Sequence, residues 1–196
     1  MRRLFWIGKM LINNPWNFEF CLDRDEQRVD NLFENGTLEY LTEVDLSAFY
    51  QTVDDKVIQL LCYNHLSSNS VSKNHLTQIK LNHCYRITDA GVQWIVGSCH
   101  SIKISYLNLS NTSLTGNCFL RKMPCLNILI LECCSALTGN GLQNIAACCP
   151  QIKKLSLSMN KQLTGSNFKI HSCLKNAVNF LAQISLHITG TWRFPT

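Results

Sequence analysis

At 196 residues, 46% of them apolar and 16% charged, the chain is sized for one domain with a continuous core. No run of about 18 apolar residues occurs, so no membrane-spanning helix is expected. The formal net charge of +5 conceals an asymmetry: residues 1–55 carry 11 acidic against 5 basic side chains, and residues 56–196 carry 13 basic side chains against Asp89 and Glu132. Such a split points to an acidic partner for the later part of the chain, with nucleic acid as the rival. Scattered lysines and sparse aromatics weigh against nucleic acid.

Residues 1–37 read as an N-terminal extension. Met1-Arg2-Arg3 precedes a short apolar stretch, but Lys9 interrupts it before a secretory h-region is complete, and no small-residue cleavage site follows. No acidic residue precedes Glu19, which leaves a mitochondrial presequence open; the absence of Ser argues against it. The charged segment from Leu22 to Phe33 is enough for one short helix at most.

From residue 38 to 168 one apolar spacing recurs five times. Its copies are Leu41-x-x-Val44-x-Leu46-x-x-Phe49, Leu76-x-x-Ile79-x-Leu81-x-x-Cys84 and Ile104-x-x-Leu107-x-Leu109-x-x-Thr112. Leu126-x-x-Leu129-x-Leu131-x-x-Cys134 and Ile152-x-x-Leu155-x-Leu157-x-x-Asn160 complete the set. This is a leucine-rich-repeat signature, in which a unit buries its apolar face by stacking on its neighbours. The expected fold is α/β: a leucine-rich-repeat solenoid with a parallel concave sheet and short convex helices. Strands are expected to centre on Val44, Ile79, Leu107, Leu129 and Leu155.

After each strand comes a tail such as Ile87-Thr88-Asp89-Ala90-Gly91-Val92 or Leu137-Thr138-Gly139-Asn140-Gly141-Leu142. A Thr or Asp stands where a helix needs an N-cap, and apolar residues follow at helical spacing. Helices are expected to begin near Asp54, Thr88, Thr138 and Thr164. A shorter one is expected after Leu114, where the spacing to the next strand contracts. Cys148-Cys149 before Pro150 marks a helix end. The Ser/Asn-rich residues 66–75 read as a surface loop between units. Residues 169–196 form a C-terminal segment in which Leu181-x-x-Ile184-x-Leu186-x-x-Thr189 offers a sixth strand.

The chain has 11 cysteines, an odd number. Cys84 and Cys134 stand where sister units carry Thr112 and Asn160, expected to lie buried against the backbone turn of the next unit. Repeat geometry therefore sets their spacing, and free structural thiols are expected, in a cytoplasmic or nuclear setting. No Cys-x-x-Cys occurs, and Cys62-x-x-His65 has no second half at zinc spacing, so neither metal nor cofactor is expected. No phosphate loop, HExxH or nucleophile elbow is present. Asp54-Asp55 is explained by capping. His83 beside Cys84 is expected to point outward while Cys84 points inward. The chain reads as a non-enzyme.

The run from Leu126 to Pro150, with Cys133-Cys134, Leu137-Thr138 and Cys148-Cys149 in place, resembles the cysteine-containing class of leucine-rich repeat. That class is typical of F-box/LRR substrate receptors of SCF ubiquitin ligases and of proteins similar to the antagonist of the mitotic exit network. The resemblance implies a receptor or adaptor role in SCF-type ubiquitin-dependent protein degradation. Residues 1–37 hold no Leu-Pro start and no recognisable F-box. A Skp-type adaptor and cullin are therefore implied as partners only if an F-box lies outside this chain.

Period-2 geometry places the residues between the leucines on the concave sheet. The candidate partner-binding residues are Lys80, Asn82, Tyr106, Asn108, Ile128, Ile130, Glu132 and Lys154. Two isoleucines beside a tyrosine on a polar face are what the centre of a protein interface looks like. The alternatives are a scaffold subunit of a stable assembly and a nucleic-acid-binding solenoid.

Overall fold

The computed structural model describes residues 6–10, 18–21, 42–67, 76–98 and 103–163. The charged segment Leu22–Phe33, most of the 66–75 loop, the helix expected at Thr164 and the sixth strand offered at Ile184 lie outside them.

Five three-residue strands appear where the spacing places them: β3 (Glu43–Asp45), β4 (Gln78–Lys80), β5 (Tyr106–Asn108), β6 (Ile128–Ile130) and β7 (Lys154–Ser156). They form one parallel sheet in chain order. The register is the same at every step, so Val44, Ile79, Leu107, Leu129 and Leu155 make one continuous row. All five are buried. The flanking apolar residues of the last four units, such as Leu76 and Leu81 or Leu126 and Leu131, are buried as well and extend that row into a single core.

Before these come β1 (Trp6–Met10) and β2 (Phe18–Cys21), an antiparallel pair with Lys9 opposite Glu19. The sequence reading did not foresee this hairpin. Its first strand lies against β3 and the 3-10 turn Ser47–Phe49.

Each of the last four strands leaves the sheet by the same backbone step. Two residues past the buried leucine the chain enters the left-handed region, at His83, Asn111, Cys133 and Met159, with φ of 69°, 56°, 55° and 62°. The amides of His83, Asn111 and Cys133 then donate to Ser110, Glu132 and Ser158 in the following unit, at 2.8, 2.8 and 2.9 Å. The next residue turns inward. Cys84, Thr112, Cys134 and Asn160 are all buried. Thr112 donates its hydroxyl to Leu109 O of its own unit at 2.7 Å, whereas the other three reach back, opposite to expectation, toward the preceding unit. Cys84 Sγ donates to Leu46 O at 3.6 Å, Cys134 Sγ to Leu109 O at 3.2 Å, and Asn160 Nδ2 to Leu131 O at 2.6 Å. The leucine carbonyls face the following unit and need donors there.

The helices are α1 (Asp55–Ser67), α2 (Asp89–Gly97) and α3 (Gly139–Cys148). Their caps match the sequence reading. Asp54 Oδ1 accepts from Lys56 N and Val57 N, Thr88 from Ala90 N, and Thr138 from Gly141 N. The third unit departs from it: the expected short helix after Leu114 is replaced by turns across residues 116–125. Gly116 adopts a φ of 89°, which breaks the helical path at its first step.

Candidate protein-binding face

The shared register sorts the outward side chains of the sheet into two rows. One runs Glu43, Gln78, Tyr106, Ile128, Lys154; the other runs Asp45, Lys80, Asn108, Ile130, Ser156. Six of the candidate residues, Lys80, Tyr106, Asn108, Ile128, Ile130 and Lys154, therefore share one surface, with Asn82 and Glu132 just beyond the strand ends. Ile128 and Ile130 are half-buried, as are Tyr106 and Asn108, and Lys154 is exposed. Tyr106 stands beside Ile128 and Asn108 beside Ile130, on strands about 4.8 Å apart.

The two ends of the face differ. On β3 and β4 the charges are consumed within the sheet. Lys80 Nζ contacts the Glu43 carboxylate and lies 3.9 Å from Asp45. The hydrogen bond to Glu43 raises the Lys80 ammonium above its ordinary range despite some desolvation. Sequence reasoning placed Lys80 in the binding set because cross-strand pairing is invisible until register is known. Glu132 is likewise occupied, since its carboxylate accepts the Ser156 hydroxyl. Asn108 uses its Oδ1 to hold the Ser110 amide at 3.1 Å as the chain leaves β5. The middle of the face, Tyr106, Ile128 and Ile130, is its apolar part, and Lys154 flanks it.

A second surface feature escaped the sequence reading. Tyr50 and Tyr85 are exposed on the rim where the strands end, with ring centroids 6.2 Å apart and planes tilted by 58°. The signal was present: each stands four residues after the last leucine of its unit. Arg86 braces this rim, reaching Gln51 O at 3.3 Å and Asp54 at 3.9 Å.

Five of the thiols sit in surroundings that suppress thiolate formation. Burial pushes Cys62 up to about 11, and burial together with Asp45 pushes Cys84 up to about 12. Desolvation also raises Cys118, Cys134 and Cys148. His83 is exposed and Cys84 fully buried, so the neighbouring pair points in opposite directions. The eight described cysteines of the repeat region form no disulfide among themselves. Among the described residues no group of three or more His, Cys, Asp or Glu side chains is placed to hold a metal ion. No described helix is long and apolar enough to cross a membrane.

No family model and no curated protein matches the chain. Among solved structures, a chain from the crystal structure of the Rad7 and Elc1 complex in yeast superposes with a TM-score of 0.50 at 15% identity, over 70% of this chain. This chain spans 35% of that one. A structure of leiomodin-1 actin-binding site 2 superposes with a TM-score of 0.47 at 14% identity, over 82% of this chain and 78% of its own. At such identities the likeness to the yeast structure is one of fold: α/β with a parallel sheet.

Proposed function

We propose that this chain is a non-catalytic protein-recognition module, a leucine-rich-repeat solenoid that acts as substrate receptor or adaptor in SCF-type ubiquitin-dependent degradation, in the cytoplasm or nucleus. The observation that carries the recognition role is the sheet face, where Tyr106, Ile128 and Ile130 sit together on adjacent strands in an otherwise polar surface. A partly exposed apolar centre with a polar rim is the arrangement of an interface core. The ubiquitin-ligase reading rests on the resemblance of residues 126–150 to F-box/LRR repeats. The fold-level likeness to a chain crystallised within the two-protein Rad7 and Elc1 complex is consistent with it.

The test is co-purification from cells of the tagged full chain and of an Ile128→Asp, Ile130→Asp variant. Recovery of a Skp-type adaptor and cullin is expected where the tagged protein carries an F-box outside residues 1–196. A second set of proteins, the substrates, should be lost with the variant while its far-UV spectrum and melting temperature stay near wild type. Recovery of one stoichiometric partner that survives high salt, without adaptor or cullin, would replace this reading with a scaffold role.

A further inference from the structure

We infer that the occupant of the sheet face is an acidic segment of a protein partner carrying aliphatic side chains, seated across β5–β7 and not across the whole sheet. The inference rests on the recognition role proposed above and adds the chemistry of the ligand.

The charge inventory of the described residues from 42 onward is one-sided. Every described acidic side chain there is already engaged within the chain. Glu43 and Asp45 hold Lys80, and Asp54 caps α1 beside Arg86. Asp55 and Asp89 bind Thr88 and Thr115, and Glu132 binds Ser156. Four basic residues of the later units are not matched in this way. Lys103, Arg121, Lys153 and Lys154 are exposed and make no ion pair with a described acidic residue. Residues 103–163 hold six basic side chains against the single acid Glu132. The positive charge of Lys103, Arg121, Lys153 and Lys154 is therefore unmatched among the described residues, and it lies toward the β5–β7 end.

Position joins that field to the apolar centre. Lys154 is the register neighbour of Ile128, which is the register neighbour of Tyr106. A row that starts apolar on β5 thus ends in an ammonium on β7. Lys153 precedes β7 by one residue and Lys103 precedes β5 by three, so both stand at the strand-entry end of the sheet. The opposite end is closed to acidic ligands, because the Glu43 and Asp45 carboxylates flank Lys80 and repel them. Three strands span about 10 Å, the length of roughly three extended residues. A short segment with aliphatic residues over Ile128 and Ile130 and carboxylates over Lys154 and toward Lys153 at the strand entry fits that span. Nucleic acid fits less well. Bases need flat partners on which to stack, and this face offers Tyr106 alone among two branched aliphatic side chains.

The test is selection from a random dodecapeptide display library on the immobilised full chain. Selected peptides are then measured by fluorescence polarisation at about 50 and about 500 mM NaCl. Two folded variants accompany it, Lys153→Glu with Lys154→Glu, and Ile128→Ser with Ile130→Ser. The expected result is enrichment of peptides combining Asp or Glu with Leu, Ile or Val, binding about tenfold more weakly at the higher salt. Both variants should lose about tenfold or more. Selection of neutral or basic peptides, or full affinity in the lysine variant while the isoleucine variant loses binding, overturns the acidic ligand and leaves the face as a docking site. Full affinity in both variants removes the face itself. Failure to select any peptide overturns the inference. So does a fluorescein-labelled oligouridylate that binds through the lysines and not the isoleucines, which would assign the basic side to nucleic acid.

Discussion

The carboxylate of Asp89 holds Thr115, the corresponding threonine of the next unit. Asp89 Oδ1 accepts the backbone N–H groups of Thr115 and Gly116, each at 3.1 Å, and Oδ2 accepts the Thr115 hydroxyl. Asp55 does the same one unit earlier, accepting the Thr88 amide at 2.8 Å and the Thr88 hydroxyl at 2.6 Å. The first acid of one helix thereby fixes the start of the next tail. Hydrogen bonds to a charged group contribute about 1.5–3 kcal/mol each. Asp89→Ala is expected to lower unfolding stability by about 2–3 kcal/mol, and Thr115→Val by about 1 kcal/mol because the amide bonds survive. Urea denaturation of both variants and the double mutant checks this. Additive effects would show that the two residues do not act together.

Between the third and fourth units that bridge takes another form. Gly116 stands where an aspartate would, so Thr138 turns to the backbone, donating its amide to Thr115 O at 3.0 Å and its hydroxyl to the same oxygen at 3.2 Å. The backbones close up as a result. A Cβ on Gly141 would collide with the Thr115 carbonyl oxygen and lie 2.8 Å from Gly116 Cα. Replacing glycine by alanine within a helix ordinarily gains up to about 1 kcal/mol. Here Gly141→Ala is expected to lose about 2 kcal/mol or more, by thermal melting, because both obstacles are backbone. Asn140, one residue earlier on the same helix, is exposed. Asn140→Ala therefore serves as the control and should leave stability within about 0.5 kcal/mol.

Asn160 is 1% exposed, and its Nδ2 donates to Leu131 O at 2.6 Å and Leu157 O at 2.9 Å. Removing the donor strands two carbonyls that face the protein interior. Asn160→Ala is expected to cost about 2–3 kcal/mol. Asn160→Asp should cost more, because a carboxylate offers those carbonyls no donor and must either ionise in the core or take up a proton. Equal stability of the Asp and Asn forms by denaturation would contradict this geometry.

The buried thiols carry a pH signature. Cys62 and Cys84 are raised from 9.0 to about 11 and about 12. A raised folded pKa leaves stability intact below the unfolded value and removes it as pH climbs toward the folded one. Unfolding free energy should therefore fall between pH of about 9 and about 11, by about 1.4 kcal/mol per pH unit for each thiol. Cys84→Ala should flatten that slope by one thiol's share while lowering stability at neutral pH. A slope unchanged by the substitution would place the loss in groups other than Cys84.

Strand centres were legible because three apolar positions per unit leave one choice for the residue that faces the core. Threonine caps were legible because a hydroxyl just before a helical apolar pattern has few other uses. What could not be read were relationships that cross units. Asp89 looks like an ordinary first-turn acid, and nothing in its neighbourhood announces that it reaches Thr115. Lys80 looked available for a partner until register put it beside Glu43 and Asp45. The β1–β2 hairpin was missed because Gly8 interrupts the alternation and the pairing shifts register between Trp6 and Lys9. Of the candidate residues that share the sheet surface, those whose side chains are not consumed by neighbours form a smaller patch, centred on Tyr106, Ile128 and Ile130.

The left-handed step after each strand has a consequence for how this surface can change. His83, Asn111, Cys133 and Met159 share one backbone conformation and no side-chain chemistry: an imidazole, an amide, a thiol and a thioether. Neighbouring members meet along the rim, as Asn111 Nδ2 and His83 Nδ1 do at 3.1 Å. The fold asks these positions for a torsion angle, which excludes β-branched residues and leaves most others admissible. Four side chains at strand spacing thus form a row whose lettering is independent of the scaffold, where a different partner can be written without disturbing the core beneath.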